Sequence, residues 1–329
     1  MRTFVRSIVY LTALSLAVVS CSSGGGSGTA AIPSTTNAGG SNAYTVEGFP
    51  AMFTEYATPA GIVPADITMG PGGNPWFANF HLFDSSNVGG GELLPDGTFQ
   101  MFSEPSGFFA GSNAIGYVGS SIWTVATGSP EDESFLMQTN ASGATTVSAD
   151  LGTCCGSPFT KIIRGPDGNI WMTGCTESCP EFSAFVEAFD TSGHSKAFVR
   201  LGDPATGVTY VANAIAAGPD GNLYVTANYT GVPGGSGAIQ SSVFKISPAG
   251  VILNQFALPD ASAPFGIVTG PDHNLWVTES GTGKVAKMTT GGAFTEYPLA
   301  ASNAGPLMIT IGTDGALWFT ESGANALGR

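Results

Sequence analysis

Only one residue in ten of this 329-residue chain is charged, so the side chains able to do acid–base or metal chemistry can be weighed singly. Two carboxylates stand out, because each ends the same phrase: Leu275-Trp276-Val277-Thr278-Glu279 and Leu317-Trp318-Phe319-Thr320-Glu321. Carboxylates at equivalent positions of neighbouring repeats can point at one centre. Glu279 and Glu321 are therefore candidate ligands for a hard cation such as Mg2+ or Ca2+, which prefers carboxylates, carbonyls and water. The structural alternative is that each ends a strand and accepts a hydrogen bond from a backbone N–H. Of three histidines, His81 lies two residues beyond Asn79, which takes the Glu279 position in an earlier repeat. Asn79 and His81 join Glu279 and Glu321 as candidate ligand-binding residues. His81, Glu279 and Glu321 are the candidates for catalysis, His81 as a base placed to take a proton. His194 and His273 fall within turns and read as solvated.

Apart from Cys21, the cysteines are Cys154, Cys155, Cys175 and Cys179. An adjacent pair followed by a spacing of four suits a tetrahedral zinc site poorly, and an exported chain meets an oxidising compartment. Disulfides are the expectation, tying Cys154 and Cys155 to Cys175 and Cys179 across two loops, and either cross-loop pairing fits.

The elements that must position these groups are set by a repeat. Gly70-Pro71-Gly72-Gly73-Asn74-Pro75-Trp76, Gly165-Pro166-Asp167-Gly168-Asn169-Ile170-Trp171 and Gly218-Pro219-Asp220-Gly221-Asn222-Leu223-Tyr224 share one pattern. Gly270 to Trp276 and Gly312 to Trp318 repeat it, and Val118 to Trp123 is a degenerate copy. All five tryptophans fall at one repeat position, at intervals of the length of a four-stranded propeller blade. Each copy reads as a hairpin, a β-rich run meeting a Pro-Asp-Gly turn and a second β-rich run. Ser242–Ile246 and Lys284–Met288 supply third strands, Phe294–Tyr297 a fourth. Phe53–Tyr56 reads as a fourth strand lacking the three before it, and the last repeat runs only into its third strand near Ala326. The expectation is an all-β chain forming a single β-propeller of four-stranded blades. Six blades fit, seven being the alternative, with the N-terminal strand closing the ring by completing the C-terminal blade and removing open edges.

The phrase running from Phe294-Thr295-Glu296-Tyr297-Pro298 through Gly305-Pro306 to Asp314-Gly315-Ala316-Leu317-Trp318-Phe319-Thr320-Glu321 resembles the virginiamycin B lyase (streptogramin lyase) family, itself similar to NHL-repeat propellers. The resemblance covers Phe53 to Arg329. It implies a ring-shaped enzyme, in its best-known members seven-bladed, that opens a cyclic depsipeptide by β-elimination at its ester. A magnesium ion and a histidine base from a Pro-His-Gly-Ile phrase serve that reaction, with a partner glutamate ending Trp-Phe-Thr-Glu. Here the histidine position holds Ala65, Ser112, Thr160, Asn213, Phe265 and Leu307, and the glutamate position Asn79, Ala126, Gly174, Ala227, Glu279 and Glu321. No histidine stands where the base belongs. The expectation is a ligand-binding or scaffold propeller. The alternative is an active carbon–oxygen lyase, or a metal-dependent hydrolase, with its site on the face of the second-to-third strand loops.

Residues 1–20 carry Arg2 and Arg6 and then an apolar run from Ile8 to Val19, the pattern of an export signal. Val18-Val19-Ser20-Cys21 resembles a lipobox, so Cys21 is expected to carry lipid. Residues 21–42 read as a Gly/Ser-rich tether and 43–329 as the propeller. This places the protein outside the cytoplasm, held to a membrane by its lipid alone, as a monomer. Twenty-four acids against ten bases exclude nucleic acid, whose phosphates need Lys and Arg. The expected partner is a small or peptide-like ligand, or another protein.

Overall fold

The structure, a computed structural model, describes residues 41–44, 53–56, 58–59, 62, 64–79, 88–105, 108–110, 114–128, 133–153, 160–176, 183–203, 208–229, 241–259, 261–300, 303–312, 315–324 and 326–329. They are almost wholly strand and tight turn. β1 (Ser41–Tyr44) and β2 (Phe53–Tyr56) form a two-stranded antiparallel ladder. β3 (Pro64–Met69), β4 (Pro75–Asn79), β5 (Val88–Leu93) and β6 (Phe99–Ser103) make a four-stranded antiparallel sheet in chain order. In the next sheet β7 (Phe108–Ala110) and β8 (Ile115–Val118) both pair with β9 (Ser121–Gly128), which leads to β10 (Glu133–Thr139) and β11 (Thr145–Thr153). Two further four-strand sets follow. They are β12 (Lys161–Arg164), β13 (Ile170–Thr176), β14 (Ser183–Phe189) and β15 (Ser195–Asp203), then β16 (Val208–Ala217), β17 (Leu223–Tyr229), β18 (Ser242–Ile246) and β19 (Ile252–Ala257). Pairing of Gly202 with Thr209 and of Asp203 with Val208 joins these two sets into one eight-stranded sheet. β20 (Pro264–Thr269), β21 (Leu275–Glu279), β22 (Lys284–Met288) and β23 (Phe294–Pro298) form another four-stranded sheet, and β24 (Pro306–Ile311), β25 (Leu317–Glu321) and β26 (Ala326–Gly328) a three-stranded one.

The repeated phrase works as a unit. In the third hairpin Gly168, at φ 82°, donates its N–H to Gly165 O at 3.0 Å, and Gly165 donates to Asn169 O at 2.8 Å. Asp167 then does two jobs: Oδ1 accepts the Asn169 N–H at 3.1 Å and the Trp171 indole N–H at 3.0 Å. Asp220 takes the Tyr224 hydroxyl at 3.0 Å and Asp272 the Trp276 indole at 3.1 Å in the same way. The aromatic lies flat over the first turn glycine, where a Cβ at Gly165 would collide with the Trp171 ring. In the first hairpin Gly72 replaces the aspartate, and the buried Trp76 Nε1 has no acceptor.

The first four of these aromatics, Trp76, Trp123, Trp171 and Tyr224, each pack against the following sheet. Trp76, Ala78 and Phe102 meet Ile115 and Ile122, while Trp123 and Leu136 meet Ile162 and Met172. Trp171 and Val186 meet Ile215 and Val225, and Tyr224 and Val243 meet Ile267 and Val277. Removing an aromatic from such an interface costs about 3–5 kcal/mol. Polar latches run alongside. Thr226 Oγ1, on β17, donates to Phe265 O at the head of β20 at 2.7 Å, and Thr278 Oγ1, on β21, donates to Leu307 O at the head of β24. Thr160 Oγ1 lies 2.7 Å from Thr173 Oγ1 and donates to Ala212 O at 3.1 Å.

The hairpins, the third and fourth strands and the aromatic row match the expected repeat, with six first-to-second-strand hairpins among the described residues. The expected pairing of Phe53–Tyr56 beside Ala326 is not among the described ladders, in which β2 pairs with β1 along one edge and β26 with β25. The chain just upstream supplies β2 with that first partner at low loop-closure cost. Cys175 lies within β13, opposite Ala184, rather than in a loop. Cys21, His81, Cys154, Cys155 and Cys179 lie outside the described residues.

Candidate functional site

Because the strands alternate in direction, the ends of second strands and the starts of first and third strands gather at one end of every sheet. Asn79, Glu279 and Glu321 all end second strands and so share that end. Their side chains do not do the same thing. Asn79 is buried and donates from Nδ2 to Val88 O at 2.8 Å, fastening β4 to the start of β5. Glu279 is fully buried, with Oε2 accepting from Thr282 Oγ1 at 3.3 Å and Oε1 without a donor. Glu321 is half-buried.

The charged neighbours of Glu279 come from its own sheet. Lys284 is its register partner on β22, and Glu296 lies on the same face of β23. Lys284 Nζ sits 2.8 Å from Glu296 Oε2, and Glu296 Oε1 is buried. Burial, and then the charge of Glu296, holds the Glu279 carboxyl above the usual carboxylate range. The lysine contact holds Glu296 below that range. Below about pH 7 the cluster is therefore a carboxylic acid, a carboxylate and an ammonium, the acid donating to the carboxylate. Strand parity gave a signal for this in the sequence, since Glu279, Lys284 and Glu296 fall on one face once the third and fourth strands are aligned.

The positions expected to carry a histidine have other work. Thr160 bridges Thr173 and Ala212, and the buried Asn213 donates from Nδ2 to Pro264 O at 2.7 Å. Phe265 and Leu307 serve through their carbonyls, as acceptors for Thr226 and Thr278. One residue further along the first strands, Asp66 and Lys161 meet at 2.8 Å, and Asp66 Oδ2 also accepts the Ile115 N–H at 3.2 Å, so three sheets are tied at their innermost strands. His194 is exposed, with Nδ1 3.3 Å from Asp190, and His273 occupies a turn at φ 57°, both as expected of turn residues.

Glu104, just after β6, escaped the sequence reading. It is 4% exposed, neither carboxylate oxygen has a donor, and burial pushes its carboxyl up to about 7. It lies over Gly89, where a Cβ would come within 2.8 Å of its Cγ.

The magnesium that the resemblance implies finds no matching donor set among the described residues. Among the described residues no three His, Cys, Asp or Glu side chains gather as metal ligands. Glu279, one of the two expected ligands, is instead engaged with Glu296, and Lys284 supplies the positive charge beside them.

Residues 162–329, just over half of the chain, match the model of the Virginiamycin B lyase family. The chain belongs to the virginiamycin B lyase family. Among solved structures, virginiamycin B lyase from Staphylococcus aureus is 24% identical, with a TM-score of 0.58 over 81% of this chain and 80% of that one. A catalytically inactive histidine-to-alanine form of the Staphylococcus aureus enzyme, with quinupristin, is 23% identical, with a TM-score of 0.61 over 84% of this chain and 83% of that one. A streptogramin B lyase structure gives 20% identity and a TM-score of 0.60 over 83% and 81%. A search of curated proteins finds no match. The virginiamycin B lyase fold is a β-propeller, and this chain's successive antiparallel sheets are its blades.

Proposed function

We propose that the protein is an exported, lipid-anchored propeller that binds a ligand on the face bearing the second-to-third strand loops and does not open cyclic depsipeptides. One observation carries this reading. Of the six positions where the family's base would stand, Ala65, Ser112, Thr160, Asn213, Phe265 and Leu307, none is histidine, and at the last four the polar atoms are spent on blade-to-blade hydrogen bonds. A general base must reach the proton it takes and have a suitable pKa, and its assistance is worth about 10²–10⁴-fold. The inactivity of the histidine-to-alanine Staphylococcus aureus enzyme agrees with that requirement. In this reading six blades close into a ring, with β2 supplying the last blade's fourth strand, and Asn79, His81 and Glu321 border the ligand face. The ligand is small or peptide-like, in keeping with a chain of 24 acids against 10 bases. The test is incubation of the purified protein with a streptogramin B and Mg2+, following the linear product by mass spectrometry. Turnover no faster than the buffer control is expected. Rapid turnover would overturn the reading, and its loss in His81→Ala would identify His81 as a relocated base.

A further inference from the structure

β19 (Ile252–Ala257) is the last strand of the eight-stranded sheet, so β18 pairs with one of its edges and the other faces no strand. Leu258 donates to Ser241 O at 2.9 Å, and the alternation of an antiparallel ladder then turns the N–H of Gln255 away from β18. That N–H donates to the neighbouring side chain, Asn254 Oδ1, at 2.9 Å. The side chains on this edge are open as well. Val251, Ile252 and Leu253 are 54%, 40% and 50% exposed, and Asn254 and Gln255 continue the exposed run. From Ser247 to Leu258 there is no charged residue.

Open edges are normally blunted by charge, by proline or by short strands, because an unpaired apolar edge is a template for another chain. The other fourth strands follow that rule. β15 carries Lys196 and Arg200 and is joined to β16 at its end, β23 carries Glu296 and Pro298, and β11 carries Asp150. In β6 only Gln100 and Ser103 are exposed. From this contrast we infer that β19 is an interface between two copies of this chain, each strand adding antiparallel to the other across a two-fold axis near Ile252. Charge favours this occupant. Each copy carries 24 acids against 10 bases, so two copies repel, and they approach at least cost along a strand that carries no charge. The edge is also complementary to itself. With the axis at Ile252, Val251 of each copy faces Leu253 of the other, as an isologous contact requires. A lipid surface would cover the same three side chains but would leave the backbone groups of the open edge unpaired in hydrocarbon, which is costly.

The dimer takes the place of the monomer expected from the sequence. Fourth strands begin at the end of the sheet opposite the second-to-third strand loops, so pairing at Val251–Leu253 leaves the ligand face open, and the inference does not depend on what that face binds. The test is sedimentation of the full chain carrying Cys21→Ser, which removes association through lipid, from micromolar to submillimolar concentration at physiological salt. A concentration-dependent dimer is expected. Leu253→Lys and Val251→Lys, both at exposed positions, should each raise its dissociation constant at least about tenfold, while Val147→Lys, on the outer strand of another blade, should leave it unchanged. A protein that stays monomeric at submillimolar concentration overturns the inference. So does a dimer that survives both β19 variants, or one that Val147→Lys dissociates equally. A monomer that binds zwitterionic phosphatidylcholine vesicles and loses that binding in Leu253→Lys would overturn it in favour of the lipid surface.

Discussion

Glu104 holds its proton because both of its oxygens are buried without donors, and this makes stability depend on pH in a stated direction. An unfolded glutamate releases its proton near 4.5, whereas here the proton stays until about 7. Between those values the folded chain binds more protons than the unfolded one, so stability falls as pH rises through the window. The contribution is fully present below about 4.5 and lost above about 7. We expect the thermal midpoint to fall between pH 5 and pH 8, and Glu104→Gln, which keeps the shape without the charge, to flatten the fall and add about 2 kcal/mol at pH 8. A pH profile of the midpoint identical in the two proteins would rule this out. Glu104 was illegible in the sequence because its burial depends on Gly89 lying opposite, a relation that exists only once β5 and β6 pair. Glu279 was legible by position but not by role. Its neighbours Lys284 and Glu296 sit five and seventeen residues downstream, and only the strand register brings them to one face.

At the scale of elements, the hairpins were readable because each turn encodes its own geometry. A glycine accommodates the aromatic, an aspartate caps it, and a second glycine supplies the positive φ. The joining of β15 to β16 was not readable, since it rests on two residue pairs, and the Asp-Pro and Gly between them mark a turn without saying that the flanking strands pair. The role of β2 is argued from its exit. After β2, Ile62 donates to Pro59 O at 3.2 Å before β3 begins at Pro64, and after β19, Ser262 donates to Pro259 O at 3.2 Å before β20 begins at Pro264. The chain therefore enters the first sheet as it leaves a fourth strand elsewhere. Its ladder with β1 uses one edge of β2 and leaves the other for β26, so the proposed closure gives a last blade widened by β1. Deleting residues 43–56 should expose the edge of β26 and lower both thermal midpoint and solubility. If neither changes, β2 does not close the last blade.

For the molecule as a whole, location and shape are the two remaining properties. The proposed lipid at Cys21 makes a definite prediction: Cys21→Ser should move the protein from the membrane fraction to the soluble one, because stable anchoring depends on the acyl chains. Unchanged fractionation would exclude the lipid anchor. Shape turns on whether the first and last sheets meet, as the proposed closure requires. Ile67 and Met69 on β3 are 63% and 58% exposed, and Met308 on β24 is 45% exposed, although the first strands between them are well covered. The threonine latches bear on this. Thr226 and Thr278, on second strands, reach forward to Phe265 O and Leu307 O, while Thr269 on β20 reaches back to Ala217 O at 2.6 Å, so neighbouring sheets are stitched from both sides. In the last sheet Thr320, at the position of Thr226 and Thr278, is solvent-exposed and accepts the Met308 N–H, and the position equivalent to Phe265 and Leu307 at the head of β3 is residue 65. In the proposed ring these two positions flank the one seam, where a second-strand hydroxyl would meet a first-strand backbone.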